Sequence, residues 1–163
     1  VASRDGDRAV ALSSQLAQAH QELRRHIQEI RSGITRRDLG RDVLVTHCLA
    51  FCAALTSHHQ GEDAGMFDRL LDERPDLAAT IAKLVEDHGL ITSILSRVGR
   101  LAAEAAHSQD PALEVIGREL DGLTAIMESH FNYEERVISA ALDEGVADTG
   151  WSDLVFRFRA GTG

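Results

Sequence analysis

Apolar residues return at steps of three and four along four stretches of the chain, the spacing that lines one face of an α-helix. The first stretch carries Leu12, Leu16, Leu23, Ile27 and Ile30, and the second Leu44, Phe51, Leu55, Met66, Leu70 and Leu71. The third carries Leu77, Ile81, Leu84, Ile91, Leu95 and Val98, and the fourth Ile116, Leu120, Leu123, Met127, Val137, Ile138 and Leu142. Stop and turn signals fall at residues 33–38, at 72–76 around Pro75, at 107–111 and at 143–145. Connections this short make neighbouring helices antiparallel, so the pattern predicts an all-α, up-down-up-down four-helix bundle over residues 1–145. The remainder, residues 146–163, is polar with a late aromatic group, Trp151, Phe156 and Phe158, alternating with Arg157 and Arg159. It is expected to pack on the bundle as a cap or against a partner.

Composition narrows the partners more than the fold. A chain of 163 residues with 44% apolar residues suits a single domain with one core, and the two prolines leave helices uninterrupted. A formal charge of −9 argues against nucleic acid or an anionic membrane as the main partner, since both call for concentrated Lys and Arg. No apolar run approaches the roughly 20 residues that span a bilayer, and residues 1–8 do not resemble a signal sequence, so a cytoplasmic location is expected. Cys48 and Cys52 lie one helical turn apart, a spacing that rarely suits a disulfide, and read as reduced, buried, small apolar residues. A zinc site built from Cys48, Cys52 and His59 would lack a fourth ligand.

The polar residues that interrupt the apolar stripes carry the chemistry. His20 lies between Leu16 and Leu23; His58 and Glu62 continue the stripe of Phe51 and Leu55. His88 lies between Leu84 and Ile91, while His130 and Glu134 continue the stripe of Leu123 and Met127. Residues four apart on a helix sit one above the other, so each His-x-x-x-Glu pair presents an imidazole and a carboxylate to the same side. The levels also match. His58 and His88 each lie about a dozen residues from the turn at Pro75, near 18 Å at a rise of about 1.5 Å per residue. From the turn at Pro111, His88 lies about 18 residues back and His130 about 19 forward. His20 matches more loosely across the first connection.

A lone inward histidine is usually a hydrogen-bonded core residue, and a lone His-x-x-x-Glu pair an ordinary surface neighbour pair. Four imidazoles and two carboxylates on one core layer are different, because burying them unpaired is costly and a metal pair satisfies them together. The expected arrangement is two histidines on each ion, with Glu62 and Glu134 bridging. Mixed imidazole and carboxylate donors suit iron, or manganese or a mixed pair, better than magnesium or calcium. His59 is expected to point beside the site, His26 off the inward stripe, and His107 into a loop near Glu104. His47, three turns before His58, either lines an access channel or hydrogen-bonds within the core. Tyr133 reads as packing, with a proton or electron relay as the alternative.

These residues resemble the hemerythrin family, in particular bacterial hemerythrin-like proteins with His-His-Glu cation-binding domains. The resemblance covers residues 11–142 and rests on His20, on HHQGEDAGMFDRL from His58, on EDHGLI around His88 and on HFNYEERVISAAL from His130. It differs from the ferritin-like di-iron pattern, in which Glu-x-x-His pairs occupy two helices. The resemblance implies two iron ions held by His20, His58, Glu62, His88, His130 and Glu134. The oxygen carriers of the family have a further histidine where this chain has Leu84, and their last carboxylate would correspond to Glu135, which stays the alternative to Glu134. With one imidazole fewer, an open metal position is expected, favouring an oxidoreductase that activates dioxygen or peroxide to oxidise a small molecule. The competing expectation is a non-catalytic protein that binds or senses oxygen, nitric oxide or iron.

Overall fold

The computed structural model describes residues 10–37, 39–105 and 112–158. Among them every regular element is a helix: α1 (Leu12–Arg36), α2 (Arg41–Gly61), a π-helical turn (Glu62–Met66), α3 (Phe67–Glu73), a 3-10 turn (Pro75–Leu77), α4 (Ala78–Ala105), α5 (Ala112–Asp143) and α6 (Trp151–Phe156). None of these helices is long and apolar enough to cross a membrane.

The apolar stripes fold inward as their spacing requires. On α1, Leu16, Leu23, Ile27 and Ile30 are buried, and on α5 Ile116, Leu120, Leu123, Met127 and Ile138 are buried with them. Helix α1 packs on α2 and α5, and α4 packs on α2 and α5, closing a ring around the core. The core divides into two apolar clusters. One gathers Leu23, Phe51, Leu55, Ile91 and Met127, and the other Leu16, Met66, Leu84 and Ile138. Helix by helix the chain meets these clusters in alternating order: the second before the first on α1, then the first before the second along α2, and so on through α4 and α5. Between the clusters on α1, α4 and α5, and where α2 passes into the π turn, stand the histidines and glutamates.

Helix ends follow the stop signals with one correction. The first helix runs through Gly33 and ends at Arg36, where Arg37 takes a left-handed conformation (φ 55°) and its N–H reaches the Gly33 carbonyl at 3.0 Å. Gly33 is therefore a buried helical residue instead of the start of a break. A Cβ there would lie 2.8 Å from a Leu44 methyl, so the missing side chain admits the next helix. The break around Pro75 and the end of α5 at Asp143 fall where expected, with Gly145 at φ 115°. The break at 107–111, Asp38 and Arg159 lie outside the described residues.

The second stretch is not one regular helix. Between Glu62 and Met66 the backbone widens by a residue, so that the Phe67 N–H bonds to the Glu62 carbonyl. Single π turns of this kind accommodate an extra residue within a helix and recur where side chains are aimed at a site. The tail turns back on the chain: Trp151 and Val155 of α6 are buried against α2, the π turn and α1.

Candidate metal centre

Four helices of the ring and the π turn bring seven titratable side chains into the layer between the two clusters. They are His20 from α1, His58 and His59 from α2, Glu62 from the π turn, His88 from α4, and His130 and Glu134 from α5. None is more than 3% exposed. They form two groups whose donor atoms lie within 4.8 Å of one another, His59 with His88 and His130, and His20 with His58, Glu62 and Glu134. The carboxylates join the groups. Glu134 places Oε1 3.3 Å from His20 Nε2 and Oε2 3.4 Å from His130 Nε2. Glu62 Oε1 lies 3.2 Å from His58 Nε2 and 3.5 Å from His88 Nε2.

Without a cation this layer is unsatisfied. Buried Nε2 of His20 and His58, both ring nitrogens of His59 and all four oxygens of Glu62 and Glu134 have no hydrogen-bond partner. Each such group costs about 1–3 kcal/mol when left unpaired, so a native core keeps them only where something else binds them. The outward nitrogens point to the same conclusion. Nδ1 of His20 donates to Glu135 (3.1 Å), that of His58 to the Val155 carbonyl (2.7 Å), that of His88 to Asp63 (2.7 Å) and that of His130 to Asp87 (3.2 Å). A histidine that donates through Nδ1 turns an Nε2 lone pair inward, and carboxylate or carbonyl partners of this kind orient metal-binding imidazoles. The Nε2 atoms of His88 and His130 then face each other at 3.0 Å, two lone pairs that repel unless a cation lies between the donors.

Protonation is divided accordingly. Burial, reinforced by the Glu134 charge, pushes Glu62 well above the usual carboxylate range. Burial would also raise Glu134, but the imidazoles of His130 and His20 hold it well below. Burial lowers His20, yet Glu134 and Glu135 outweigh it and the net shift is upward. Burial drives His58 down to about 3 and His59 well below its usual value. The two carboxylates are thus pushed in opposite directions, and added positive charge in the layer would favour the ionised form of both. Three or more imidazoles with two ionisable carboxylates are donors for a borderline transition metal. The residues present fit such a pair.

The six residues expected from the sequence all stand in this layer. Glu134 is inside; Glu135 stands outside it as the acceptor of His20, 3.5 Å from Arg24. His59 is the correction. It does not point beside the site but stacks on His88, with ring centroids 3.8 Å apart and planes 12° from parallel, and completes a three-histidine group. The signal was present in the consecutive His58-His59: the layer is deep enough to take two successive residues of α2 just before the π turn. Leu84, where the carriers of the resembled family hold their extra histidine, is buried in the apolar cluster with Leu16 and Met66. An imidazole not foreseen in the layer, that of His59, comes instead from α2.

Other candidates lie elsewhere. Among the described residues His47 neither lines a channel to the layer nor hydrogen-bonds in the core; half-buried, it borders a surface groove with Arg25, Ser32 and Leu39. His26 rests its ring edge-on against Phe51. Cys48 and Cys52 are free thiols raised by burial to about 12 and about 11, and neither joins a metal-ligand group among the described residues. Tyr133 packs in the second cluster under the Arg136 guanidinium. His107 lies outside the described residues.

A family model described as the hemerythrin HHE cation binding domain matches residues 11–143, which contain all seven residues of the layer. Neither the curated proteins nor the solved structures compared with this chain give a match.

Proposed function

Because the chain belongs to the hemerythrin HHE cation-binding family, we propose that it holds two iron ions, one on His59, His88 and His130 and the other on His20 and His58, with Glu62 and Glu134 shared between them. The single observation that carries this reading is the set of buried imidazole nitrogens and carboxylate oxygens left without partners in one layer. Mixed nitrogen and oxygen donors favour iron, with manganese or a mixed pair as the alternative loading. The alternating order in which the helices meet the two apolar clusters supports the antiparallel four-helix bundle as the frame.

Five imidazoles and two carboxylates equal the donor complement that the family resemblance implies for oxygen carriers, although one imidazole comes from α2 instead of α4. The function best supported is therefore binding of dioxygen or a related small ligand. Iron supplies the reversible electron transfer that such binding needs. The chain's own part is to hold the lone pairs inward and keep water out. Asp63, Asp87, Glu135 and the Val155 carbonyl fix the tautomers, and Phe131, stacked on His20 at 3.8 Å, seals one side. The side with two imidazoles carries fewer protein donors than the side with three, so it is the half where a small ligand would bind.

An oxidoreductase acting on peroxide or a small molecule is the second reading. It is favoured by a groove of about 640 Å³ over His130, lined by Lys83, Asp87, Tyr133 and Arg136, where a polar substrate could lie against the outer face of the centre. A cytoplasmic location fits two free thiols in one helix. Anaerobic reconstitution with iron(II) tests the centre: about two irons per chain are expected, and fewer would refute it. Mixing that protein with oxygen separates the functions. A stable spectrum reversed by removing oxygen supports the binding protein, whereas oxygen consumed continuously in the presence of a reductant supports the enzyme.

A further inference from the structure

We propose that the C-terminal segment 151–158 is a working part of the metal centre: docked on the ring, it fixes His58 in its metal-binding orientation, so the His20–His58 half of the centre fills only while the segment is in place. This rests on the reading of the layer as a metal pair. His20, His88 and His130 each donate Nδ1–H to a carboxylate carried by the long helices or the π turn. His58 alone donates to a backbone carbonyl, that of Val155, and Val155 lies beyond the 11–143 stretch that the family model matches. The bond is 2.7 Å long and buried, and Phe158 adds an edge-on ring contact to His58. When the segment leaves, the buried Nδ1–H loses its acceptor, and the ring is free to turn its Nε2 away from Glu62.

The ring is shaped to receive this segment. A Cβ on Gly61 would lie 2.8 Å from Leu154 Cβ and 3.0 Å from a Val155 methyl, and a Cβ on Gly65 would meet Trp151. Both glycines flank or lie in the π turn that carries Glu62. The helix itself is fixed at its start, where Asp148 accepts from the Gly150 and Ser152 N–H groups and the Trp151 indole donates to the Ala147 carbonyl at 2.9 Å. The two glycines thus leave α6 close enough for Val155 to reach His58. Their place in the sequence is explained by that approach, since in an ordinary helix alanine would be the better residue.

The test uses the full-length chain with cobalt(II), followed by equilibrium dialysis and visible absorption. Gly61→Ala improves helix propensity in α2, where φ is ordinary, while its methyl pushes the segment away from His58. Trp151, the sole tryptophan, reports docking by its emission without any metal, and trypsin cleavage after the exposed Arg157 reports it independently. The expected result is red-shifted emission, faster cleavage, and one cobalt retained as in the wild type while the other weakens about 10–100-fold. Trp151→Ala, followed by cleavage, gives the same selective loss by removing the anchor. Two cobalt ions held at wild-type affinity in a variant whose segment is displaced would overturn the proposal. So would parallel weakening of both ions together with a lower melting temperature of the metal-free protein, the mark of a merely structural role. Fewer than two cobalt ions on the wild-type chain would instead sink the metal-pair reading itself.

Discussion

Replacing His59 by leucine should move the metal-free and metal-loaded proteins in opposite directions. In the metal-free protein both ring nitrogens of His59 are buried without partners, and burial already keeps the ring neutral. Removing them recovers about 1–3 kcal/mol of unmet hydrogen bonding, and loss of the stacked contact with His88 gives back about 0.5–1.5 kcal/mol. The net is a gain of roughly 1 kcal/mol, which for a domain of this size raises the melting temperature by about 2–4 °C. With metal present the sign reverses, because one ion loses one of its three imidazoles. If that weakens binding about 100-fold, the stabilisation conferred by excess metal falls by about 2.7 kcal/mol. Thermal melts in chelator and in cobalt(II) or anaerobic iron(II) measure both effects on the same samples. The wild-type gap between the two curves should shrink from both ends. A variant that melts lower in chelator yet keeps the full metal-induced shift would show His59 to be an ordinary core residue, and the three-histidine group would have to be abandoned.

Other outcomes follow from the same geometry. Asp63→Asn, which keeps the shape but weakens the acceptor 2.7 Å from His88 Nδ1, should lower metal affinity about 10–100-fold with little change in the metal-free melting temperature; unchanged affinity on dialysis would refute its orienting role. Glu134→Gln should abolish binding of the metal pair, whereas Glu135→Gln should only weaken it, and equal losses by metal analysis would contradict the placement of Glu135 outside the layer. Leu84→His should add no metal, since the third imidazole is already present, and should destabilise the fold by putting an unpaired polar ring into the cluster around Leu16; a gain in affinity would argue that His59 does not serve. Cys48, with its thiol raised to about 12, has a thiolate fraction near 10⁻⁴ at pH 8, on the order expected for an unreactive buried thiol. It should resist iodoacetamide in the folded protein and react after denaturation, and raising the pH toward 10 should speed labelling about a hundredfold before unfolding intervenes. Rapid labelling at pH 8 would show that the thiol is not held in the core.

The helices and six of the seven layer residues were legible in the chain because both rest on local periodicity. A stripe of apolar residues at three- and four-residue steps has one buried face whatever it packs against, and a His-x-x-x-Glu pair on that stripe is buried with it. Counting residues from the turns then placed His58, His88 and His130 at one depth. His20 was the least determined, because the first helix runs through Gly33 to Arg36 and shifts the connection from which its depth is measured.

What periodicity could not supply depends on side chains arriving from elsewhere. The π turn at Glu62–Met66 changes the helical phase after His59, and nothing in the spacing of EDAGM announces it, since such single turns are rare and arise where tertiary packing favours them. Helical spacing puts His59 about 100° round from His58 and so to the side of the layer, yet the side chain arriving from α4 brings His88 to stack on it. Glu134 and Glu135 differ by one residue, or about 100° of helical turn; the phase of the stripe favours Glu134, and the packing of His20 between them shows Glu135 to be the acceptor behind the layer. The same holds for Val155, a backbone carbonyl with no signature in residue type, which reaches His58 because α6 folds back over two glycines. Local pattern specifies which faces are buried; which donors meet within a few tenths of an ångström is a property of the packed chain, because that distance is set by several elements at once.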